Sequence, residues 1–173
     1  VCLKHDFIII SDDIYERLIY DGRVFCNIAQ VVPELKHRVV VVNGVSKTYA
    51  MTGWRIGYIV ANKAYIDQVV KLNQITFNNV PVFIQEAALK GMELHVQIAA
   101  NIKAKYKERA DLACSKLRAG GFKFTAPDAP FYVFPKRDGL DGTKFTLDLL
   151  DRGFLFFSFL IGPNMTRWNI QSR

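Results

Sequence analysis

Residues 43–57 read NGVSKTYAMTGWRIG and are the most informative segment of the chain. It directly follows four valines at 39–42, and such a short apolar run predicts a strand buried on both faces of a sheet. Lys47 therefore comes just after a buried strand, in a loop of small residues, and Arg55 follows eight positions later between two glycines. A lysine amine in such a setting can form a Schiff base, and an arginine can bind a phosphate through paired hydrogen bonds. The glycines would let the backbone approach a ligand closely.

Two further apolar runs lie on either side of this stretch. Residues 7–10 form the first and end at three polar residues, 11–13, and residues 55–60 form the second. Between the valine strand and the last of these runs, residues 46–52 leave room for one or two helical turns. Three short strands of this kind predict a largely parallel or a mixed sheet, and open α/β sheets bind ligands at the carboxyl ends of their strands.

The middle of the chain is helical. Residues 63–72 carry apolar side chains at helical spacing, and residues 78–81 separate that helix from a strongly helical stretch at 82–119. Gly91 predicts a bend or junction within this stretch, and the pair Gly120–Gly121 predicts its end.

The last third of the chain alternates short β-type runs with one helix. The β-type runs are 122–125 and 131–134, a helix is predicted over 144–150, and strands are predicted over 154–161 and 168–171. Strands and helices alternate before the long helix, and an α+β pattern follows it. This order predicts the end of one α/β domain joined to a smaller α+β domain.

The composition excludes several classes of protein. Of the 173 residues 50% are hydrophobic, so the chain is not a disordered tail. It has no apolar run of about 20 residues, so we expect no membrane span. The net charge is +7, but Lys and Arg are scattered, so we expect no nucleic-acid partner. The three cysteines have no metal-binding spacing and are expected to be buried, reduced thiols of a cytoplasmic protein.

Residues 44–57 resemble the lysine-attachment signature of class I pyridoxal phosphate-dependent aminotransferases. The positions that fit the signature are Gly44, Val45, Ser46, Lys47, Ala50, Met51, Gly53, Arg55, Ile56 and Gly57. The resemblance implies that Lys47 is the catalytic residue, which forms the Schiff base with the cofactor and carries the 1,3-proton shift, and that Arg55 holds the cofactor phosphate. Some relatives place a phosphate-binding hydroxyl at the position of Gly44. Ser46 could supply that hydroxyl here, or it could cap the following turn.

Residues 11–20, SDDIYERLIY, are similar to the Asp-Glu/Asp-Ile/Val-Tyr segment of the same family. The similarity implies that Asp12 keeps the pyridine nitrogen of the cofactor protonated, which the cofactor needs as an electron sink, and that Tyr15 hydrogen-bonds to the ring hydroxyl. Residues 126–135, APDAPFYVFP, resemble the start of a strand in the family's small domain, although the family's glycine is absent.

The family binds the α-carboxylate of the substrate with an arginine in a strand near the C-terminus. The register of the resemblance puts Asn169 at that position, and Arg167 lies two residues earlier, on the same face of a strand. Arg167 and Asn169 are therefore the candidates for substrate binding. Arg167 is as readily explained as a surface residue.

The resemblance covers the whole chain, which corresponds to about the second half of a family member. It implies the α/β fold of aspartate aminotransferase-like, pyridoxal phosphate-dependent transferases. Residues 1–93 would be the C-terminal part of the large cofactor-binding domain, and residues 94–173 the small α+β domain. It further implies a cytoplasmic homodimer of amino-acid metabolism. This enzyme would transfer an amino group from an L-amino acid, with aspartate as the expected type, to a 2-oxo acid by a ping-pong Schiff-base mechanism. No metal is expected.

Two alternatives stay open. Another enzyme of the same fold, a C–S lyase or a synthase, would use the same lysine, and a non-catalytic remnant would keep the fold without binding the cofactor. The family's phosphate-binding loop, ring-stacking aromatic residue and asparagine contact all come before the position of Asp12. We therefore expect this chain by itself to be inactive, and the identity of the amino acid and of the oxo acid is not encoded in the residues present.

Overall fold

The computed structural model describes residues 1–154 together with the strand backbones at 157–160 and 166–169. The chain divides into two compact units, Val1–Ile102 and Lys103–Arg173. Helices and sheets occur in both, as the predicted α/β class requires. The predicted domain boundary after residue 93 stays a prediction.

The first unit is built on a mixed sheet of three strands, β1 (Ile9–Asp12), β2 (Val39–Gly44) and β3 (Gly57–Val60). Strand β2 is central, with β1 parallel and β3 antiparallel to it. The four valines of β2 give it the β-branched side chains that suit a pleated strand. Three short strands left a largely parallel and a mixed sheet open, and the structure has the mixed one.

The edge strands differ from the prediction in their limits and in their burial. Strand β1 runs on through Asp12, so the first polar residues belong to the strand instead of following it. Strand β3 begins only at Gly57, because Arg55 has a left-handed backbone that cannot continue a strand. The expectation of burial on both faces is wrong for β1: Ile10 is 73% exposed, since no layer formed by the described residues covers that face of the edge strand.

The connection from β1 to β2 contains a short helix, α1 (Ile28–Val31), and a 3₁₀ helix (Pro33–Arg38), neither of which the sequence pattern predicted. Asn27 caps α1, and a reciprocal bond from its own N–H to the Gln30 side chain completes a capping box. Four residues are too few for a periodic signal. The most buried side chains around this connection and the sheet are Leu18, Tyr20, Leu35, Val39 and Val45.

The helices that follow are α2 (Lys63–Thr76), α3 (Val82–Glu93) and α4 (His95–Ala119). The predicted break near 78–81 is confirmed. The expectation of a junction at Gly91 is wrong, because α3 continues to Glu93 and the break falls at Leu94. Gly91 serves packing instead: a Cβ built there would lie 3.4 Å from the Sδ atom of Met51.

In the second unit, α4 ends as predicted. Gly121 has a φ of +78°, and the N–H of Phe122 donates to the carbonyl of Leu117 at 3.0 Å, which is the bonding of a glycine-terminated helix end. Helix α5 (Gly142–Asp151) starts at its cap Asp141 and contains the predicted helix.

The β-type runs of the second unit have two different outcomes. Over 122–134 the prediction of strands is wrong: the pairing in this region is a single antiparallel bridge between Lys123 and Lys136. Further on, β4 (Phe157–Leu160) and β5 (Thr166–Asn169) pair in antiparallel fashion within the predicted regions, and residues 170–171 of the last predicted strand lie outside the described residues.

Three cysteines are free. Cys114 is buried in α4 as expected, and its burial raises the pKa of the thiol, but the expectation fails for Cys26, which is exposed. Across residues 1–154 and the two strand backbones, no helix has the length and apolarity needed to cross a membrane. The same described residues contain no cluster of three potential metal-ligating side chains.

Candidate functional site

One edge of the three-stranded sheet brings the predicted site residues of the first unit together. Asp12 is the last residue of β1 and pairs with Val42, two positions before β2 ends. Lys47 follows the end of β2 by three residues. Arg55 precedes the start of β3 by two, on the antiparallel strand that returns from the same edge. The strand directions alone therefore place a carboxylate, an amine and a guanidinium at one edge.

Lys47 lies in a single turn that continues β2. The N–H of Tyr49 donates to the carbonyl of Val45 at 3.2 Å, and the N–H of Ala50 donates to the carbonyl of Lys47 at 3.4 Å. Val45 and Thr48 are 1% and 2% exposed, whereas Lys47 is half-buried. Buried residues on both sides thus anchor the lysine, and the turn cannot move without exposing them.

The predicted phosphate ligand, Arg55, follows a strained segment. Ala50 and Arg55 have φ values of 53° and 52°, and they flank the 3₁₀ turn Thr52–Trp54. Left-handed backbone costs a non-glycine residue roughly 1–2 kcal/mol, and such strain is concentrated at functional sites. The guanidinium donates to the carbonyl of Thr52 at 2.9 Å and is exposed, so it is held by its own turn and open to solvent.

Gly44 and Gly57 of the signature are required for packing between strands, whereas the sequence suggested close approach of a ligand. A Cβ on Gly57 would lie 2.9 Å from the carbonyl oxygen of Asn43, and a Cβ on Gly44 would lie 3.1 Å from the Cα of Gly57. These residues form a cross-strand pair. Close approach of β2 to β3, and not approach of a ligand, therefore requires glycine at these two positions. A serine at position 44 would force the two strands apart. The nearby residue that can supply a phosphate-binding hydroxyl is therefore Ser46.

Asp12 is the last residue of β1, and Tyr15 lies in the turn that follows it. The Asp12 carboxylate is exposed and accepts a hydrogen bond from the N–H of Ile14 at 3.3 Å, and Tyr15 is half-buried in the following turn. The next residue along, Asp13, is only 7% exposed. Sequence reasoning gave Asp13 no role, although two adjacent carboxylates at a strand end, one of them buried, are an unusual arrangement.

Two tyrosines near this edge were also missed. Tyr49 follows Lys47 by two residues, and Tyr58 pairs with Asn43 across β2 and β3. Burial raises the pKa of both phenols above the usual 10.0, the Glu16 carboxylate raises it further, and the Arg17 guanidinium opposes this. Both tyrosines therefore remain neutral phenols, able to donate a hydrogen bond, throughout the physiological pH range.

Arg167 and Asn169, the predicted substrate-binding residues, belong to the second unit. Both lie in the backbone of β5, where Arg167 pairs with Phe159 and Asn169 with Phe157. Their spacing of two places them on one face of the strand, as expected. Their side chains lie outside the described part of the structure, so their role in substrate binding stays a prediction.

Comparison with known proteins gives consistent matches. The family "Aminotransferase class I and II" matches residues 1–169. A (5-formylfuran-3-yl)methyl phosphate transaminase of Methanocaldococcus jannaschii is 37% identical over 155 residues, which are 89% of this chain and 41% of the relative. An aspartate aminotransferase of Geobacillus stearothermophilus is 37% identical over 136 residues, 78% of this chain and 35% of the relative.

A solved structure shows the same fold. The aromatic aminotransferase of Pyrococcus horikoshii superposes with a TM-score of 0.80 at 35% identity, covering 86% of this chain and 41% of that one. The chain thus spans about two fifths of the length of the relatives it matches. That this share is their second half stays a prediction. With the match extending over 1–169, the chain belongs to the class I and II aminotransferases, a family of pyridoxal phosphate-dependent enzymes.

Proposed function

We propose that the protein is a pyridoxal phosphate-dependent aminotransferase that moves an amino group from an L-amino acid to a 2-oxo acid by a ping-pong mechanism. One observation carries the proposal: Asp12, Lys47 and Arg55 meet at one edge of the sheet, at the ends of three paired strands. Because the chain spans about two fifths of its relatives, this is a proposal for the whole protein of which these residues are part.

The three groups are chemically complementary to the cofactor. A carboxylate suits its protonated ring nitrogen, a guanidinium suits its phosphate, and a primary amine suits its aldehyde. We assign these roles to Asp12, Arg55 and Lys47, with Tyr15 donating to the ring hydroxyl and Ser46 donating to the phosphate. When bound, pyridoxal phosphate supplies an electron sink that stabilises negative charge at the substrate's α-carbon.

The chain's own residues supply the proton transfer. With cofactor and substrate bound, the Nζ atom of Lys47 would accept the proton from the substrate α-carbon and donate it to the cofactor carbon two bonds away, which is the 1,3-proton shift. The anchoring of the turn by Val45 and Thr48 keeps this amine within a small volume, which favours repeated proton transfer. The negatively charged Asp12 would hold the cofactor at its ring nitrogen, and the positively charged Arg55 would hold it at its phosphate.

We propose that the amino donor is aspartate or a closely related amino acid, because relatives from Geobacillus stearothermophilus and Bacillus subtilis are named aspartate aminotransferases. Arg167 and Asn169 would bind the α-carboxylate of the substrate. We further propose that the protein acts as a cytoplasmic homodimer with small-molecule substrates and without a nucleic-acid or membrane partner.

A panel of amino acids, supplied with and without a 2-oxo acid acceptor, tests the proposal. We expect 2-oxo acid product only when an acceptor is present, and no product from the Lys47→Arg variant, which keeps the positive charge but cannot act as a neutral amine at neutral pH. Turnover without an acceptor would show a lyase or synthase instead. Absence of any turnover or cofactor binding by the purified whole protein would identify a non-catalytic member of the fold and contradict the proposal.

A further inference from the structure

Asp13 is a buried carboxylate next to Asp12, and the proposed function gives it no role. Its Oδ1 atom accepts a hydrogen bond from the Ser11 hydroxyl at 2.7 Å, and its Oδ2 atom accepts one from the side-chain amide of Asn27. Its backbone N–H donates to the carbonyl of Val42 at 2.9 Å. This one residue thus connects the end of β1 to β2 and to the segment that begins α1.

Asn27 is itself held in a single orientation. Its Oδ1 atom accepts from the N–H of Ala29 at 2.8 Å as the cap of α1, and its N–H donates to the side chain of Gln30 at 3.1 Å. Because the cap occupies the oxygen, the amide nitrogen must face Asp13, and exchanging the two ends of the amide would lose both bonds. The donor that reaches Asp13 is therefore fixed by the helix.

Neighbouring residues of an extended chain point to opposite sides, so fixing one fixes the other. Asp13 is 7% exposed and hydrogen-bonded through both carboxylate oxygens, whereas the exposed Asp12 carboxylate accepts one hydrogen bond within the described residues, from the N–H of Ile14. The orientation of Asp12 is therefore set from the buried side of the strand.

We propose that Asp13 and Asn27 form a positioning pair for the cofactor site, which fixes the direction in which the Asp12 carboxylate leaves the end of β1. The proposal rests on the proposed function, since it assumes that Asp12 faces the ring nitrogen of the cofactor. Asp13 and Asn27 are not catalytic residues, because they act through Asp12.

The variant Asn27→Asp separates this role from helix capping. Aspartate caps a helix as well as asparagine does, but here it would place a second carboxylate against that of Asp13. The double variant Asp13→Asn with Asn27→Asp restores one amide and one carboxylate with their places exchanged. Asn62→Asp is the matched control, because Asn62 caps α2 through the same kind of bond, to the N–H of Ala64 at 2.9 Å.

The experiment uses the purified whole protein loaded with pyridoxal phosphate and records three properties: the dissociation constant of the cofactor, its induced circular dichroism, and the pH midpoint of its absorption band. We expect Asn27→Asp to weaken cofactor binding about tenfold, as expected for loss of a hydrogen bond to a charged group, and to reduce the induced dichroism per bound cofactor. The double variant should return the affinity to within about threefold of the parent, and Asn62→Asp should match the parent.

The pH midpoint distinguishes positioning from a plain charge effect. Asp12→Asn removes a negative charge near the cofactor, whereas Asn27→Asp adds one. We expect Asn27→Asp to shift the midpoint in the same direction as Asp12→Asn, which an added charge cannot do by itself. A shift in the opposite direction, no shift, or a double variant as impaired as Asn27→Asp would overturn the inference. If the parent protein shows no cofactor band, the proposed function fails first, and this inference fails with it.

Discussion

Two regions of the chain, the first unit and residues 122–134 of the second, respond differently to the same kind of sequence signal. In the first unit, short apolar runs became three paired strands whose ends bring together Asp12, Lys47 and Arg55. In the second unit, similar runs over 122–134 became irregular chain with one bridge between Lys123 and Lys136. Residues of β-type composition therefore form a strand only where a neighbouring strand is available to pair with them.

Proline substitution should give the largest difference in stability between the two regions. Val41 lies in the central strand β2 and pairs with Ser11 of β1 on one side and Val60 of β3 on the other, so Val41→Pro should cost about 3 kcal/mol or more of unfolding free energy or prevent folding. Thr125→Pro, in a run that forms no strand, should cost less than about 1 kcal/mol. Urea unfolding followed by circular dichroism measures both. Equal losses would mean that residues 122–125 are paired like a strand.

The cross-strand glycines give the next largest effect. Gly57→Ala should cost about 1–3 kcal/mol, because the new Cβ would meet the carbonyl oxygen of Asn43 at 2.9 Å and the backbone of both strands would have to move. Gly53→Ala, in the same loop but with no atom within 4 Å of the new Cβ, is the control and should stay within about 0.5 kcal/mol of the parent. If both variants unfold at the same urea concentration, the glycines are not required by strand contact.

Relief of backbone strain should change stability in the opposite direction. Ala50 has a φ of 53°, so Ala50→Gly should raise the unfolding free energy by about 0.5–1 kcal/mol. Ala100→Gly, in the interior of α4, should lower it by about 1 kcal/mol, because glycine disfavours a helix. Thermal unfolding of the two variants side by side tests the sign. A destabilised Ala50→Gly protein would contradict the argument from strain at the lysine loop.

The smallest expected effect is on the titration of the tyrosines near the site. The folded-state pKa of Tyr58 is raised by burial and by Glu16 and lowered by Arg17. Glu16→Gln should therefore lower this pKa and Arg17→Gln should raise it, whereas Glu108→Gln in the second unit should leave it unchanged. Ultraviolet absorption of the phenolate during alkaline titration reports these shifts.

The same titration has a consequence for stability. The folded-state pKa of Tyr58 lies above that of the unfolded chain, so the protonated phenol favours the folded state. This contribution to the free energy of unfolding is complete below pH 10.0 and is lost as the pH rises through the folded-state pKa. If Glu16→Gln and Arg17→Gln changed the pKa of Tyr58 in the same direction, Glu16 and Arg17 would not be the causes of its shift.

Local signals predicted some helix limits, where the limit depends on a few neighbouring residues. Gly121 ends α4 with a positive φ, as the predicted stop at Gly120–Gly121 requires, whereas α2 continues to Thr76, beyond the predicted end at residue 72. The junction at Leu94 has no such signal, and Gly91 misled the prediction because its small size serves contact with Met51 rather than a bend.

The sequence predicted which residues form the candidate site, but not the hydrogen bonds and backbone conformation that hold them in place. The pattern around Lys47 and Arg55 is contiguous in sequence, so it was visible, and the sheet brought its members to one edge. The pairing of Asp13 with Asn27 spans fourteen positions and depends on a four-residue helix that has no periodicity. The left-handed backbone of Arg55 likewise follows from the tertiary fold and not from its residue type.

Lys47 should bond covalently to the cofactor, and borohydride reduction detects this bond. The purified whole protein is incubated with pyridoxal phosphate, reduced and digested, and the modified peptide is located by mass spectrometry, with Lys47→Arg as control. We predict a phosphopyridoxyl group on Lys47 in the parent and no label on the corresponding peptide of the variant. A parent protein labelled only at other lysines, or not labelled at all, would contradict the account.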